Sequence, residues 1–362
     1  MHRKHIKKVK PFIEFNITQK CNYKCEYCSQ WRLDKNKPEE LYHASSEVID
    51  GFISLLENLG KEYEINLIGV EPFCHPKFIE TAKRISKLGN KVIVYTNMSF
   101  PVSMFRKLID ETNDNLLIHG ALHVAQIKDL DKNISDIIEI NSLLGKNSKL
   151  EIVSVLEEET FETLKYVENK LKNYNIDFIY IRLIKKNGEI STYSKNIEEY
   201  LKPREHKYNK DMINARKLDT KNVLCYAGYK LFHVLTDGTI VRCWSFQSNK
   251  NYQTFGNVKK LESVNLLKHA MPCYSPTCYC QHPTARNAYY KTCLTPIYHI
   301  PYENFFSVKN EHINNKKYKV INLLGIKAKF KIAETSTVEK SNSSNRSRNE
   351  NRQKQHKDKI DE

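Results

Sequence analysis

The chain has 362 residues, 40% hydrophobic and 28% charged, which suits a soluble globular protein with one large core or two moderate ones. No apolar run approaches the ~18 residues that a membrane helix needs, and the basic N-terminus lacks the apolar stretch of a signal peptide. The sequence therefore predicts a cytoplasmic protein with no transmembrane segment. The net charge of +16 sits largely at the ends: residues 1–10 carry +5, residues 301–333 carry +5 and residues 334–362 carry +1, leaving +5 for the other 290. Charge placed there, and not along a central stripe, argues against a nucleic-acid partner.

In chain order, a basic leader (1–10) precedes an apolar run, Phe12 to Ile17, that reads as a first strand. Directly after it come Cys21, Cys25 and Cys28, at spacing C-x3-C-x2-C. Three thiols on one short loop can hold a soft metal centre. Zinc and iron–sulfur sites usually take four protein ligands, so a fourth coordination position is left for something else. Ser45-Ser46-Glu47 then opens an amphipathic helix, Val48 to Leu59, closed by Gly60.

Strand and helix patterns alternate from there. Tyr63 to Val70, Lys91 to Tyr95, Leu116 to Val124, Leu150 to Leu156 and Ile176 to Ile184 read as strands. Pro76 to Leu88, Pro101 to Ile109, Leu130 to Leu144 and Glu158 to Leu171 read as helices. Six strands alternating with helices predict an α/β fold, an open partial TIM barrel (β/α)6 over residues 11–190, with working groups where strands end and loops begin.

A polar segment, 191–220, reads as a linker. A small cysteine-rich β-hairpin extension follows over 221–297, with Tyr229 to Leu235 and Thr239 to Trp244 joined at Asp237-Gly238. Residues 298–333 form a basic C-terminal segment in which lysines alternate with apolar residues. Residues 334–362 have almost no apolar side chains and read as a disordered tail. Of the ten cysteines, those clustered at 21–28 and 225–280 read, in a reducing compartment, as metal ligands and not as disulfides.

These residues resemble the radical S-adenosylmethionine (SAM) superfamily. The three-cysteine loop after strand one, with Tyr27 before the third cysteine, matches that family's motif. Gly69-Val70-Glu71-Pro72 resembles its Gly-Gly-Glu-Pro motif, with Val in place of the second Gly. Tyr95-Thr96-Asn97 resembles its Thr-Asn-Gly, with Met98 in place of the Gly. Cys225, Cys243 and Phe255-Gly256-Asn257-Val258 resemble the truncated SPASM, or twitch, extension behind some of these barrels.

The resemblance implies a [4Fe-4S] cluster on Cys21, Cys25 and Cys28, with SAM chelated at the open iron. It implies reductive cleavage of SAM to a 5′-deoxyadenosyl radical, which takes hydrogen from a substrate C–H bond. Tyr27, Gly69, Glu71, Pro72 and Asn97 are the SAM-binding candidates. Cys225, Cys243, Cys273, Cys278 and Cys280 are candidate ligands of a second, auxiliary [4Fe-4S] cluster. Cys74, as hydrogen donor, and His123 are the catalytic candidates, and Arg182 also ends a strand at the mouth. The basic 318–333 stretch resembles the ends of enzymes from surface-polysaccharide loci, so the expected substrate is a sugar or sugar nucleotide, oxidised or epimerised. The alternatives are a maturase acting on a peptide and a non-catalytic zinc-binding interaction protein. A flavodoxin or ferredoxin is the expected electron donor.

Overall fold

The computed structural model describes residues 11–28, 42–60, 63–185, 189–204, 224–243, 253–273, 306–313, 316–323 and 326–331. Residues 1–300 form one compact unit and residues 301–362 a second.

In the first unit, β1 (Phe12–Thr18), β2 (Glu64–Gly69), β3 (Lys91–Thr96), β4 (Leu116–Ala121), β5 (Lys149–Leu156) and β6 (Asp177–Arg182) alternate with α1 (Ser46–Leu59), α2 (Phe78–Lys87), α3 (Val102–Glu111), α4 (Leu130–Leu143) and α5 (Phe161–Lys172). The six strands pair in parallel in sequence order, as an open partial barrel requires. Ser45 Oγ caps α1 by accepting the Val48 N–H at 3.3 Å, and Asp129 caps α4 through the Lys132 N–H at 2.9 Å. Each cap satisfies a backbone donor that the first turn of a helix leaves free.

Strand alternation separates two environments. Ile13, Phe15 and Ile17 of β1, Ile65 and Leu67 of β2, and Val92 and Val94 of β3 pack into the core shared with the helices. The intervening residues face the barrel interior, and many are polar. His233 and Asn66 flank Glu14 in register across three neighbouring strands, all three buried, with Glu14 Oε2 2.5 Å from His233 Nδ1. Higher up, Tyr95 stacks on His119 with ring centroids 4.5 Å apart, and His119 Nδ1 lies 3.3 Å from Glu151 Oε2.

The later strands extend this same sheet. The hairpin of β8 (Leu231–Val234) and β9 (Thr239–Val241) adds to the free edge of β1, with β8 parallel to β1 and β10 (Thr254–Asn257) outside β9. Phe232, Val234, Phe255 and Val258 thereby join the core. The stretch that reads as a linker begins with α6 (Lys195–Leu201), whose buried Ile197 and Leu201, four residues apart, dock it in the same unit. β7 (Leu224–Cys225) pairs with β11 (Met271–Pro272) as a separate two-stranded sheet.

In the second unit, the basic C-terminal segment forms an antiparallel sheet of β12 (Phe306–Ile313), β13 (Lys316–Leu323) and β14 (Ile326–Lys331). The segment 334–362 lies outside the described residues. No described helix is long and apolar enough to cross a membrane.

Candidate active site

The cysteine loop is tied to the ends of the first three strands. The Val70 N–H donates to Thr18 O at 3.0 Å and the Glu71 N–H to Lys20 O at 2.8 Å, so the chain leaving β1 is held against the chain leaving β2. A Cβ on Gly69 would stand 2.7 Å from Thr18 O and Thr18 Cγ2, so only glycine lets the two strand ends approach this closely. A turn, Cys28 N–H to Cys25 O at 3.1 Å, carries the second and third cysteines.

Cys21, Cys25 and Cys28 form no disulfide and open together on a cavity of about 330 Å³ at the C-terminal ends of the strands. Gly69, Val70, Thr96 and Asn97 line the same cavity. Cys21 Sγ accepts the Tyr23 N–H at 3.3 Å and faces Asn97 Nδ2 at 3.7 Å. Asn97 Nδ2 also donates to Asn22 Oδ1 at 2.8 Å, which locks the loop to the end of β3. Desolvation raises the Cys21 thiol, and pushes the Cys25 thiol up to about 11 with help from the neighbouring Cys28.

Glu71 is fully buried and does not line the cavity, nor does Pro72. Its Oε1 accepts from the Phe73 N–H at 3.1 Å and Thr96 Oγ1 at 3.0 Å, and its Oε2 from the Asn97 N–H at 2.6 Å. The carboxylate therefore joins the ends of β2 and β3, and it is Gly69 and Val70 that reach the cavity. The sequence alone pointed the Glu71 side chain at the ligand. Three donors closing on one buried carboxylate draw it inward instead. Burial still outweighs them and pushes the carboxyl up to about 7.

Across the cavity, the Tyr27 hydroxyl is hydrogen-bonded to His123 Nδ1 at 2.5 Å, and Tyr23 meets the same imidazole edge to face. Burial lowers His123 to about 4 and raises the Tyr27 phenol, so a neutral imidazole faces a protonated phenol at neutral pH. Arg182, at the end of β6, also lines the cavity. It is held by a two-pronged pair with Glu198 of α6, at 2.8 and 2.6 Å, and lies over the Tyr193 ring. Neither Glu198 nor Tyr193 stands out in the sequence, because their roles exist only once α6 docks. Cys74 lies in the short turn Pro72–Cys74 and is not among the cavity-lining residues; burial pushes its thiol up to about 11.

The second cysteine group is partly assembled. Cys225, Cys243 and Cys273 are buried and form no disulfide, while Cys278 and Cys280 lie outside the described residues. Cys225 lies opposite Met271 in the two-stranded sheet, and Cys243 follows β9. Arg242, unnoticed in the sequence although it adjoins Cys243, is a buried cation. Its Nε donates to Ala227 O at 3.0 Å and its Nη2 to Met271 O at 2.9 Å.

Among the described residues no three Cys, His, Asp or Glu side chains close on a point as a single ion needs. The donor set at the mouth suits a larger sulfur-ligated group: three thiols share one cavity, and the first is already a hydrogen-bond acceptor for N–H groups, as thiolate ligands of iron–sulfur clusters are. Cys225 shows the same arrangement, accepting the Ala227 N–H at 3.3 Å.

Residues 15–181 match the family model described as the Radical SAM superfamily. No curated protein matches the sequence. Among solved structures, SuiB of Streptococcus suis bound to S-adenosylmethionine is 14% identical, with a TM-score of 0.46 over 68% of this chain and 63% of that one. SuiB bound to its precursor peptide SuiA gives 14% and a TM-score of 0.47, over 68% and 62%. An archaeal TYW1 is 14% identical with a TM-score of 0.28, over 44% and 58%. This chain thus spans less than two thirds of the length of either. With the cysteine loop, the Gly69–Pro72 and Thr96-Asn97 turns and the parallel barrel in one frame, residues 15–181 belong to the radical SAM superfamily.

Proposed function

We propose that the chain uses Cys21, Cys25 and Cys28 to hold a [4Fe-4S] cluster, binds SAM against it, and removes hydrogen from a C–H bond of a sugar or sugar nucleotide, oxidising or epimerising it. The observation that carries this reading is that the three thiols, Gly69, Val70 and Asn97 open on one cavity. When bound, cluster and SAM supply a 5′-deoxyadenosyl radical. The chain's residues do the rest. Asn97 fixes Cys21, the Gly69-Val70 backbone forms one wall, and Tyr23, Tyr27 and His123 form an aromatic wall that excludes water. Tyr95 adds a further ring to the lining. Ring faces with hydroxyl and imidazole edges suit a hydroxyl-rich ring, and the volume is that of a small-molecule site. A flavodoxin or ferredoxin is the proposed electron donor, and Cys225, Cys243 and Cys273 are proposed ligands of an auxiliary cluster. A peptide substrate is the competing reading.

The test is anaerobic reconstitution with iron and sulfide, followed by reduction in the presence of SAM. Iron binding and 5′-deoxyadenosine formation, both lost on Cys25→Ala, are expected; zinc without iron or sulfide would end the reading. Incubation with a panel of sugar nucleotides and peptides then separates the substrates. Loss of two hydrogens from a sugar nucleotide marks oxidation, unchanged mass with solvent deuterium uptake marks epimerisation, and either change confined to a peptide overturns the sugar assignment.

A further inference from the structure

Among the described residues, Arg242 is the largest side chain that is almost completely buried, with 1% of its surface exposed. A guanidinium is always charged, and removing it from water is unfavourable unless it gains donors' partners or opposite charge. Ala227 O, Met271 O and, at 3.2 Å, Gln253 Oε1 accept from it. The first two lie within two residues of a cysteine. The Ala227 N–H is the donor to Cys225 Sγ, Met271 lies opposite Cys225 in the ladder and two residues before Cys273, and Arg242 itself precedes Cys243. One buried cation thus draws together the backbones that carry three buried thiols. Thiols that ligate metal do so as thiolates, and their combined negative charge needs compensation in a buried place.

We propose that Arg242 is a positioning residue of a second, cysteine-ligated iron–sulfur centre: its guanidinium holds the Cys225, Cys243 and Cys273 segments in register and supplies the countercharge that such a centre needs. The inference rests on the auxiliary-cluster reading above and adds the residue that governs it. Two consequences follow. Loss of the fork loosens the ligand set, so less metal is retained. Loss of the charge makes the reduced, more negative form of the centre harder to reach, so its potential becomes more negative.

The test uses the full chain with Cys21, Cys25 and Cys28 all replaced by alanine, reconstituted anaerobically with ferrous iron and sulfide, so that remaining iron reports the second centre. With Arg242 present, about four irons per chain are expected, as for a [4Fe-4S] centre. Arg242→Gln should lower retained iron several-fold and shift the potential of what remains to more negative values, read by redox titration of the spectrum. Arg242→Lys keeps the charge without the fork: it should lose iron but leave the potential near that of the Arg242 protein. If Arg242→Gln does not fold, as judged by circular dichroism, the lysine variant carries the comparison. Both variants keeping full iron at an unchanged potential overturns the role of Arg242 and leaves the auxiliary centre standing. No iron in the triple-alanine chain with Arg242 intact overturns the centre itself, and this inference with it.

Discussion

The Glu71 carboxylate accepts the backbone N–H of Asn97 at 2.6 Å across the gap between the ends of β2 and β3. Asn97 in turn reaches Cys21 Sγ through its side chain, at 3.7 Å. The acidic residue of the Glu-Pro turn therefore acts on the cysteine loop at one remove, through the backbone of the residue that touches it.

A buried carboxyl raised to about 7 makes a specific pH signature. The unfolded chain ionises Glu71 near its ordinary value of ~4.3. Between there and about pH 7 the folded state holds more protons than the unfolded one, so this group's contribution to stability falls as pH rises. Glu71→Gln removes that slope. The expected outcome is that wild type minus variant stability declines by roughly 3 kcal/mol between pH 4 and pH 8, measured by urea unfolding. A difference that is flat with pH would show that the three donors, and not burial, set the protonation of Glu71.

His123 acts in the opposite direction over an overlapping window. Burial holds it near 4, below the ordinary histidine value of ~6.5. As pH falls from 6.5 towards 4 the unfolded chain takes up a proton that the folded one refuses, and stability falls. His123→Phe should flatten this acid limb by about 1–2 kcal/mol, allowing for the side of the ring that opens on the cavity. The same variant removes the hydrogen-bond partner of the Tyr27 hydroxyl, so a loss of 5′-deoxyadenosine formation in the reconstituted protein should accompany it. A variant that keeps the acid limb would locate that proton elsewhere.

The six strands, the five helices between them and the cysteine loop were legible because each is a local pattern: β-branched runs, amphipathic spacing, a serine cap, three thiols after a strand. Three features were not. The hairpin at Asp237-Gly238 was plain, but a hairpin signal fixes only its own register; that β8 would join the free edge of β1 depends on strands some two hundred residues apart in the chain. The first strand read only as an apolar run; Glu14 and Asn16 alternate with Phe15, and a polar face usually means solvent, whereas here it is the barrel interior. Glu71 and Arg242 each act through backbone atoms of distant segments, and no side-chain spacing encodes that.

The Arg182–Glu198 pair clamps β6 to α6, with Arg182 only 10% and Glu198 34% exposed. Removing Glu198 leaves a largely buried guanidinium without its charge partner. Glu198→Ala and Arg182→Ala should each lower stability by about 2 kcal/mol, reduced from the fully buried case because Glu198 is partly solvated. The double variant should cost less than the sum by at least ~1 kcal/mol, since the two act as one unit. Additive losses in a denaturant series would show that the pair does not hold α6 in place.

Met98 stands where the resembled turn carries glycine, and its backbone keeps the left-handed conformation that glycine favours, with φ at 56°. That conformation costs a non-glycine residue about 1 kcal/mol. The side chain offsets this by packing: Met98 is 3% exposed, and a Cβ placed on Gly120 would come within 2.8 Å of its Cγ and Sδ, so Gly120 makes the room that Met98 fills. Met98→Gly relieves the strain but opens a cavity of methionine size, a change that costs about 2–5 kcal/mol in a core, and it adds freedom to the unfolded chain. The expected net result is destabilisation by about 2 kcal/mol or more. Met98→Leu, which keeps most of the volume and the strained backbone, should cost less than about 1.5 kcal/mol. Guanidinium midpoints for the two variants decide the matter. If Met98→Gly is as stable as wild type, backbone strain outweighs packing at this turn; if it is the weaker of the two, this chain has exchanged the glycine for core contacts against Gly120 while keeping Asn97, one residue earlier, against the cysteine loop.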